Sequence, residues 1–207
     1  MILIPQYRTA RRASASALNV NITEIVTATA VSTTATLSFA GTPADGERIV
    51  AFVVQAGATP DITAVPSGFT LQVQSDVNRT VRIYDKLASS ETNSYTFTAT
   101  SNLTVSLFRL SGGSLSASGT NNAASATTIA LSSSGLLVPD NAVLIGGLSI
   151  SGTGTPTNSD SFTTIFHNTT TRGWAHYREY TTGGSGLNCT ASWTNARNVD
   201  SCLGVYS

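Results

Sequence analysis

One strand pattern is written twice in this chain, and any fold must house both copies. In residues 69–112, Phe69, Thr70, Leu71, Gln72 and Val73 lead through Asn78 and Arg79 into Val81, Arg82, Ile83 and Tyr84, then to Ser94, Tyr95, Thr96 and Phe97, and end on Leu107 to Leu110. In residues 162–207, Phe162, Thr163, Thr164, Ile165 and Phe166 lead through Thr171 and Arg172 into Trp174, Ala175, His176 and Tyr177, and end on Leu203 to Tyr206. Phe69 and Phe162 stand 93 positions apart, as do Tyr84 and Tyr177, while Leu37 matches Leu131 and Gly41 matches Gly135 at an offset of 94. At the same offset Val50 falls on Leu144. A drifting offset is what a repeated strand set with altered loops produces, and internal repeats are sought before any fold is assigned.

Strands are the elements that this composition favours. Charged residues make up only 11% of the chain, less than half of the usual share of about 25%, and Ser and Thr supply the missing polarity. Thr packs its branched Cβ on a pleated surface, whereas Ser and Gly favour turns. Alternation is strict in 69–74, and residues 48–54 form a nearly continuous apolar run of the kind covered on both faces or set mid-sheet. No helical period is sustained. The expectation is an all-β, jelly-roll-like β-sandwich of two related halves, with an extended N-terminal arm at 1–20, a first β half at 21–112 and a second at 113–207, the halves sharing one sandwich. Residues 111–126, rich in Ser, Gly, Ala and Asn, read as a linker whose end enters the repeated strand. Val50, Phe52, Leu71, Val73, Phe97, Leu144 and Phe162 are expected in the core.

Charge excludes one class of partner. Eleven basic and eleven acidic residues cancel, and affinity for nucleic acid needs clustered cations that release phosphate counterions. No run approaches the roughly 20 apolar residues that span a bilayer, and the start has too short an apolar run for a secretory signal. Synthesis and folding in a cytosol are therefore expected, without membrane insertion.

Chemistry-bearing groups are thin. His167 and His176 flank a turn near Arg172 and form the one arrangement resembling a metal pair, but His176 takes the place of Ile83 in the first copy and reads as a core or interface residue. Cys189 and Cys202 read as reduced, buried thiols, with a disulfide open if their geometry allows. Trp174, Trp193, Tyr177 and Tyr180 read as core or interface aromatics, or else as a sugar-stacking platform. Without convergent titratable groups no catalytic residue, metal site or cofactor site is nominated, and the chain is read as no enzyme. The arm is different. It joins an apolar tip, Ile2, Leu3 and Ile4, to Tyr7, Arg8, Arg11 and Arg12, and reads either as a flexible terminus or as a segment docking on a partner, tip buried and arginines on carboxylates.

Gly68, Phe69, Thr70 and Leu71, followed by Val81 to Ala88, Glu91 and Ser94 to Phe97, resemble a β-sandwich pattern of tailed-bacteriophage virion proteins and some bacterial surface proteins, in which Gly-Trp-Thr precedes Tyr-Lys-x-Ala and then Glu and Ser-Tyr-Thr-Phe. Here Phe69 stands where that pattern has Trp, and the second copy has Arg178 in place of its Lys. The resemblance covers about residues 47–112 with a weaker echo beyond, rests on packing residues, and transfers no catalytic residue. It implies a virion structural protein, a capsid decoration or head-spike subunit first and a tail or fibre component second. Its partners would be other virion proteins, further copies of itself and host glycan. A carbohydrate-binding module is the competing class.

Overall fold

The computed structural model describes residues 20–28, 32–56, 62–152, 155–158, 161–168 and 172–207. The apolar run at 48–54 and a second at 142–150 lie at the centre because neither has a polar face to give to water. They are β3 (Arg48–Gln55) and β11 (Ala142–Ile150). Around β3 stand β1 (Ile22–Ala28), β8 (Leu103–Leu110), β6 (Thr80–Leu87) and β5 (Thr70–Ser75), giving a five-stranded antiparallel sheet of order β1-β8-β3-β6-β5. A smaller sheet covers it, made of β2 (Thr34–Ser38), β7 (Ser94–Ala99) and β4 (Ile62–Ala64) in the order β2-β7-β4. Pairing is nested: β1 pairs with β8, β2 with β7 and β3 with β6.

The second half is built alike. β9 (Leu115–Ala130), β16 (Thr190–Tyr206), β14 (Gly173–Tyr180) and β13 (Thr163–Asn168) join β11 in the order β9-β16-β11-β14-β13. This is the order of the first sheet, position for position, and pairing is again nested, with β10 (Leu136–Val138) on β15 (Gly184–Leu187) between β9–β16 and β11–β14. In β9 and β16 two register breaks, one between Ser192 and Arg197 and one between Arg197 and Val199 with Ser125 opposite at a φ of 57°, let each strand serve both layers. Their far segments pair at Thr128 with Ser192, and β12 (Thr157–Asn158) adds beyond.

Three cores hold these layers together. Ile49, Ala51 and Val53 of β3 meet Leu37, Tyr95 and Phe97 inside the first sandwich. Leu144 and Leu148 of β11 meet Ile129, Trp174 and Trp193 inside the second. The alternate residues Val50, Phe52 and Val54 face Val143, Ile145 and Ala175, so the two large sheets pack back to back. This four-layer stack is why β3 and β11 are buried on both faces. The approach is close because sheet two offers glycine where sheet one offers bulk: a Cβ on Gly147 would lie 2.6 Å from Phe52 Cζ, and one on Gly173 2.7 Å from Val54 Cγ1.

The all-β sandwich is as the sequence implies, with several differences. Each half makes its own pair of sheets. At an offset of 94, Val50 and Leu144 fall on opposite faces, one between the halves and one inside the second sandwich; Tyr84 and Tyr177 likewise occupy equivalent strands but different cores. In β3 and β11 the faces agree at an offset of 93, Val50 with Val143 and Phe52 with Ile145, but in β6 and β14 they agree at 94, Ile83 with Tyr177, because side chains alternate with a period of two and the offset drifts by one residue between these strands. Six of the seven expected core residues are buried, but Leu71 is 40% exposed. A bulge between Leu71 and Val73 inserts a residue and breaks the alternation that placed both on one face. Residues 115–126 are strand, because small polar side chains suit an outer strand whose backbone pairs along β16. Val20, the last residue of the expected arm, is 2% exposed and lies in the core between the halves, its N–H on Asn141 O at 3.2 Å.

Candidate functional site

Asp200 is the most fully bonded acidic side chain among the described residues. It lies on β16 among Val199, Ser201 and Cys202, is wholly buried, and reaches across to the β5–β6 turn of the other half. Oδ1 accepts from Ser75 Oγ at 2.6 Å and Val77 N at 3.0 Å, and Oδ2 accepts from Asn78 N and Arg79 N, both at 2.7 Å. Three successive backbone N–H groups thus wrap one carboxylate, the concave arrangement that suits an anion. Arg79 is itself buried and donates Nε to Ser149 Oγ at 3.3 Å. Burial and the nearby Arg172 lower its pKa, and Asp200 partly offsets them. With every oxygen lone-pair direction occupied by protein, this is a fastener between halves. Sequence reasoning passed over it, although one signal was present: an Asp inside an apolar strand needs a buried partner.

A second cluster gathers the residues of the virion-like pattern. Lys86 Nζ lies 2.8 Å from Glu91 Oε1, donates to Ser67 O at 2.9 Å and sits 5.6 Å over the Phe69 ring. Phe69 packs edge-on against Tyr95 and Phe97, and Tyr95 Oη donates to Thr92 O at 2.9 Å and Glu91 Oε2 at 3.2 Å. Burial alone would raise the Glu91 carboxyl, but the bonds from Lys86, Ser89 N and Tyr95 hold it below its usual value. Burial and Glu91 push the Tyr95 hydroxyl up. Beside these residues opens a cleft of about 420 Å³ whose charges neutralise one another. The pattern residues therefore clasp the β4–β5 turn to the β6–β7 loop. Gly68 sits at a φ of 84°, which strains any residue with a Cβ, and a Cβ there would also crowd Lys86 Nζ at 3.1 Å.

Two further clefts lie on the second half. One, of about 300 Å³, is lined by Arg178, Tyr180, Asn188 and Thr190, with the Arg178 guanidinium 4.4 Å over the Tyr180 ring. The other, of about 340 Å³, is lined by Thr155, Thr157, Ser192, Trp193 and Thr194.

The remaining sequence candidates separate. Ile2, Leu3, Ile4, Tyr7, Arg8, Arg11 and Arg12 lie outside the described residues. His176 is fully buried with Nδ1 3.4 Å from Thr164 Oγ1, and burial lowers its pKa to about 4. It pairs in register with Thr164, whereas His167, whose side chain is not among those described, pairs with Trp174; among the described residues no group of three or more His, Cys, Asp or Glu could hold a metal ion. Cys189 and Cys202 are free thiols in different cores, on opposite sides of the inner sheet. Trp174, Trp193 and Tyr180 are buried in the second sandwich, and Tyr177 packs edge-on against Phe108 between the halves, so the four form no common exposed platform.

Among the described residues no helix is long and apolar enough to cross a membrane. Comparison with protein-family models, with curated proteins and with solved structures finds no match.

Proposed function

We propose that this chain is a structural subunit of a tailed-phage or phage-like particle, a capsid decoration or head-spike subunit first and a tail or fibre component second, and that it has no catalytic role. One observation carries the reading: all nine acidic side chains among the described residues bond within the chain. Asp45 accepts from Ser90 N, Asp140 from Gly183 N and Glu179 from Ile22 N; Glu24 and Glu47 hold Arg109, Asp76 holds Arg82, Asp85 holds Arg48, Glu91 holds Lys86 and Asp200 holds the β5–β6 turn. Acids used as fasteners, among the described residues, suit a durable scaffold. Two supports are weaker. The nested pairing of β1 with β8, β2 with β7 and β3 with β6 resembles that of a ribbon rolled into a jelly roll, an architecture found among capsid and lectin domains. The outer faces are lined by hydroxyls, as where Thr36 Oγ1 meets Thr96 Oγ1 at 2.8 Å and Ser38 Oγ meets Ser94 Oγ at 3.0 Å, and so few charges suit a subunit held in an assembly.

In this reading the arm makes the attachment. Each of Ile2, Leu3 and Ile4 gains roughly 1.5–3 kcal/mol on full burial in a partner, and Arg8, Arg11 and Arg12 add bonds to carboxylates at the rim. The test is cosedimentation of the purified chain with particles. The full chain is expected to travel with them and a chain lacking residues 1–19, folded by circular dichroism, to stay behind; equal behaviour of the two would overturn the arm's role, and absence of both from the particle fraction would overturn the function.

A further inference from the structure

We infer that the groove over Trp193 is a binding site for one residue of a neutral saccharide. The three clefts differ in what they can accept. In the first, Lys86 and Glu91 already satisfy each other, and the second presents a cation on an aromatic ring. The third has no charged residue among its lining: Thr155, Thr157, Ser192 and Thr194 stand around Trp193. Its volume, about 340 Å³, falls at the small end of ligand pockets, which begin near 300 Å³.

The chemistry of that lining matches a sugar ring, which is apolar on its C–H face and ringed by hydroxyls. Trp193 supplies the apolar surface. It is 7% exposed and lines the groove, and its Nε1 donates to Ala126 O at 3.0 Å, so the ring plane is held before any ligand arrives. A rigid aromatic loses little entropy on binding. The rim is supplied by hydroxyls: Thr157 Oγ1 and Ser192 Oγ stand 2.9 Å apart across the β12–β16 pairing. Each hydroxyl has one donor and two acceptor sites, so the pair uses only one donor and one acceptor and keeps capacity for sugar hydroxyls.

A single shallow groove binds weakly, and many copies on one particle would raise the avidity. The inference stands apart from the particle reading, because a soluble-chain measurement tests it without particles. The chain has two tryptophans, so its ¹⁵N spectrum carries two indole signals, with the enclosed Trp174 as internal control. Titration with glucose, galactose and N-acetylglucosamine is expected to move the Trp193 signal saturably for at least one sugar while Trp174 stays fixed. In Thr157→Ala/Ser192→Ala, whose two positions are exposed and whose fold the Trp174 signal reports, affinity is expected to fall at least tenfold. No saturable shift with any of the three sugars, equal movement of both indoles, or undiminished affinity in the double variant would each overturn the site.

Discussion

Replacing Asp200 by alanine removes the acceptor of four hydrogen bonds at once. Three come from the backbone of Val77, Asn78 and Arg79 and one from Ser75. A hydrogen bond to a charged group contributes about 1.5–3 kcal/mol, and a buried donor left without an acceptor costs about 1–3 kcal/mol. These terms do not add, because the turn relaxes and water reaches Val77, which is exposed. Breaking a buried charge partnership by removing one member costs about 3–5 kcal/mol, and Asp200→Ala is expected in that range. Asp200→Asn keeps the shape but turns an NH₂ toward two of the donors, and is expected to cost about 2–4 kcal/mol. Urea unfolding followed by tryptophan fluorescence reads both, with the midpoint lowered and the slope unchanged. Because the carboxylate is buried, added salt should leave the difference in place. A loss below about 1 kcal/mol for Asp200→Ala would show that the turn is held by its own backbone and that the fastener between the halves is illusory.

Other outcomes follow from the same geometry. His176 is neutral in the fold with its pKa lowered to about 4 from 6.5, so the unfolded chain binds its proton first and stability falls as pH drops from 6.5 to 4, by roughly 3 kcal/mol in full; His176→Gln should flatten that slope in urea midpoints taken across this range. Gly147→Ala forces a methyl into the Trp174 backbone carbonyl and against the Phe52 ring, and should cost at least about 1–3 kcal/mol by the same assay. Cys189 and Cys202 should both react with a thiol reagent in denaturant and neither in the folded chain, burial having pushed the Cys202 thiol up; recovery of fewer than two thiols in denaturant would contradict their separation into two cores.

Much of the framework was legible because strand burial is a local matter of alternation. The runs at 48–54 and 142–150 declared central strands, since seven and nine residues with no polar face have nowhere else to lie. The candidate site was less legible, because its partners are backbone groups distant in sequence: nothing near Asp200 announces that it meets the amides of Val77 to Arg79, some 120 positions away. Leu71 was misplaced because a bulge is a two-strand property, invisible in one strand's pattern. The offsets of 94 in β3 and β11 and of 93 in β6 and β14 matched residue types but reversed faces, since Thr, Val and Ala recur often enough on both sides of a strand to score well one step out of register. Residues 115–126 were misread because composition reports what a side chain tolerates, and an outer strand tolerates Ser, Gly and Asn when its partner supplies the hydrogen bonds.

The central claim is that this chain is a structural part of a particle. Electron microscopy of intact particles carrying a labelled copy tests it most directly. The account predicts label at a fixed, repeated position on the head, or failing that on the tail, with density wide enough for a four-layer stack. Particles that assemble at normal yield with the label absent from every class average would contradict it.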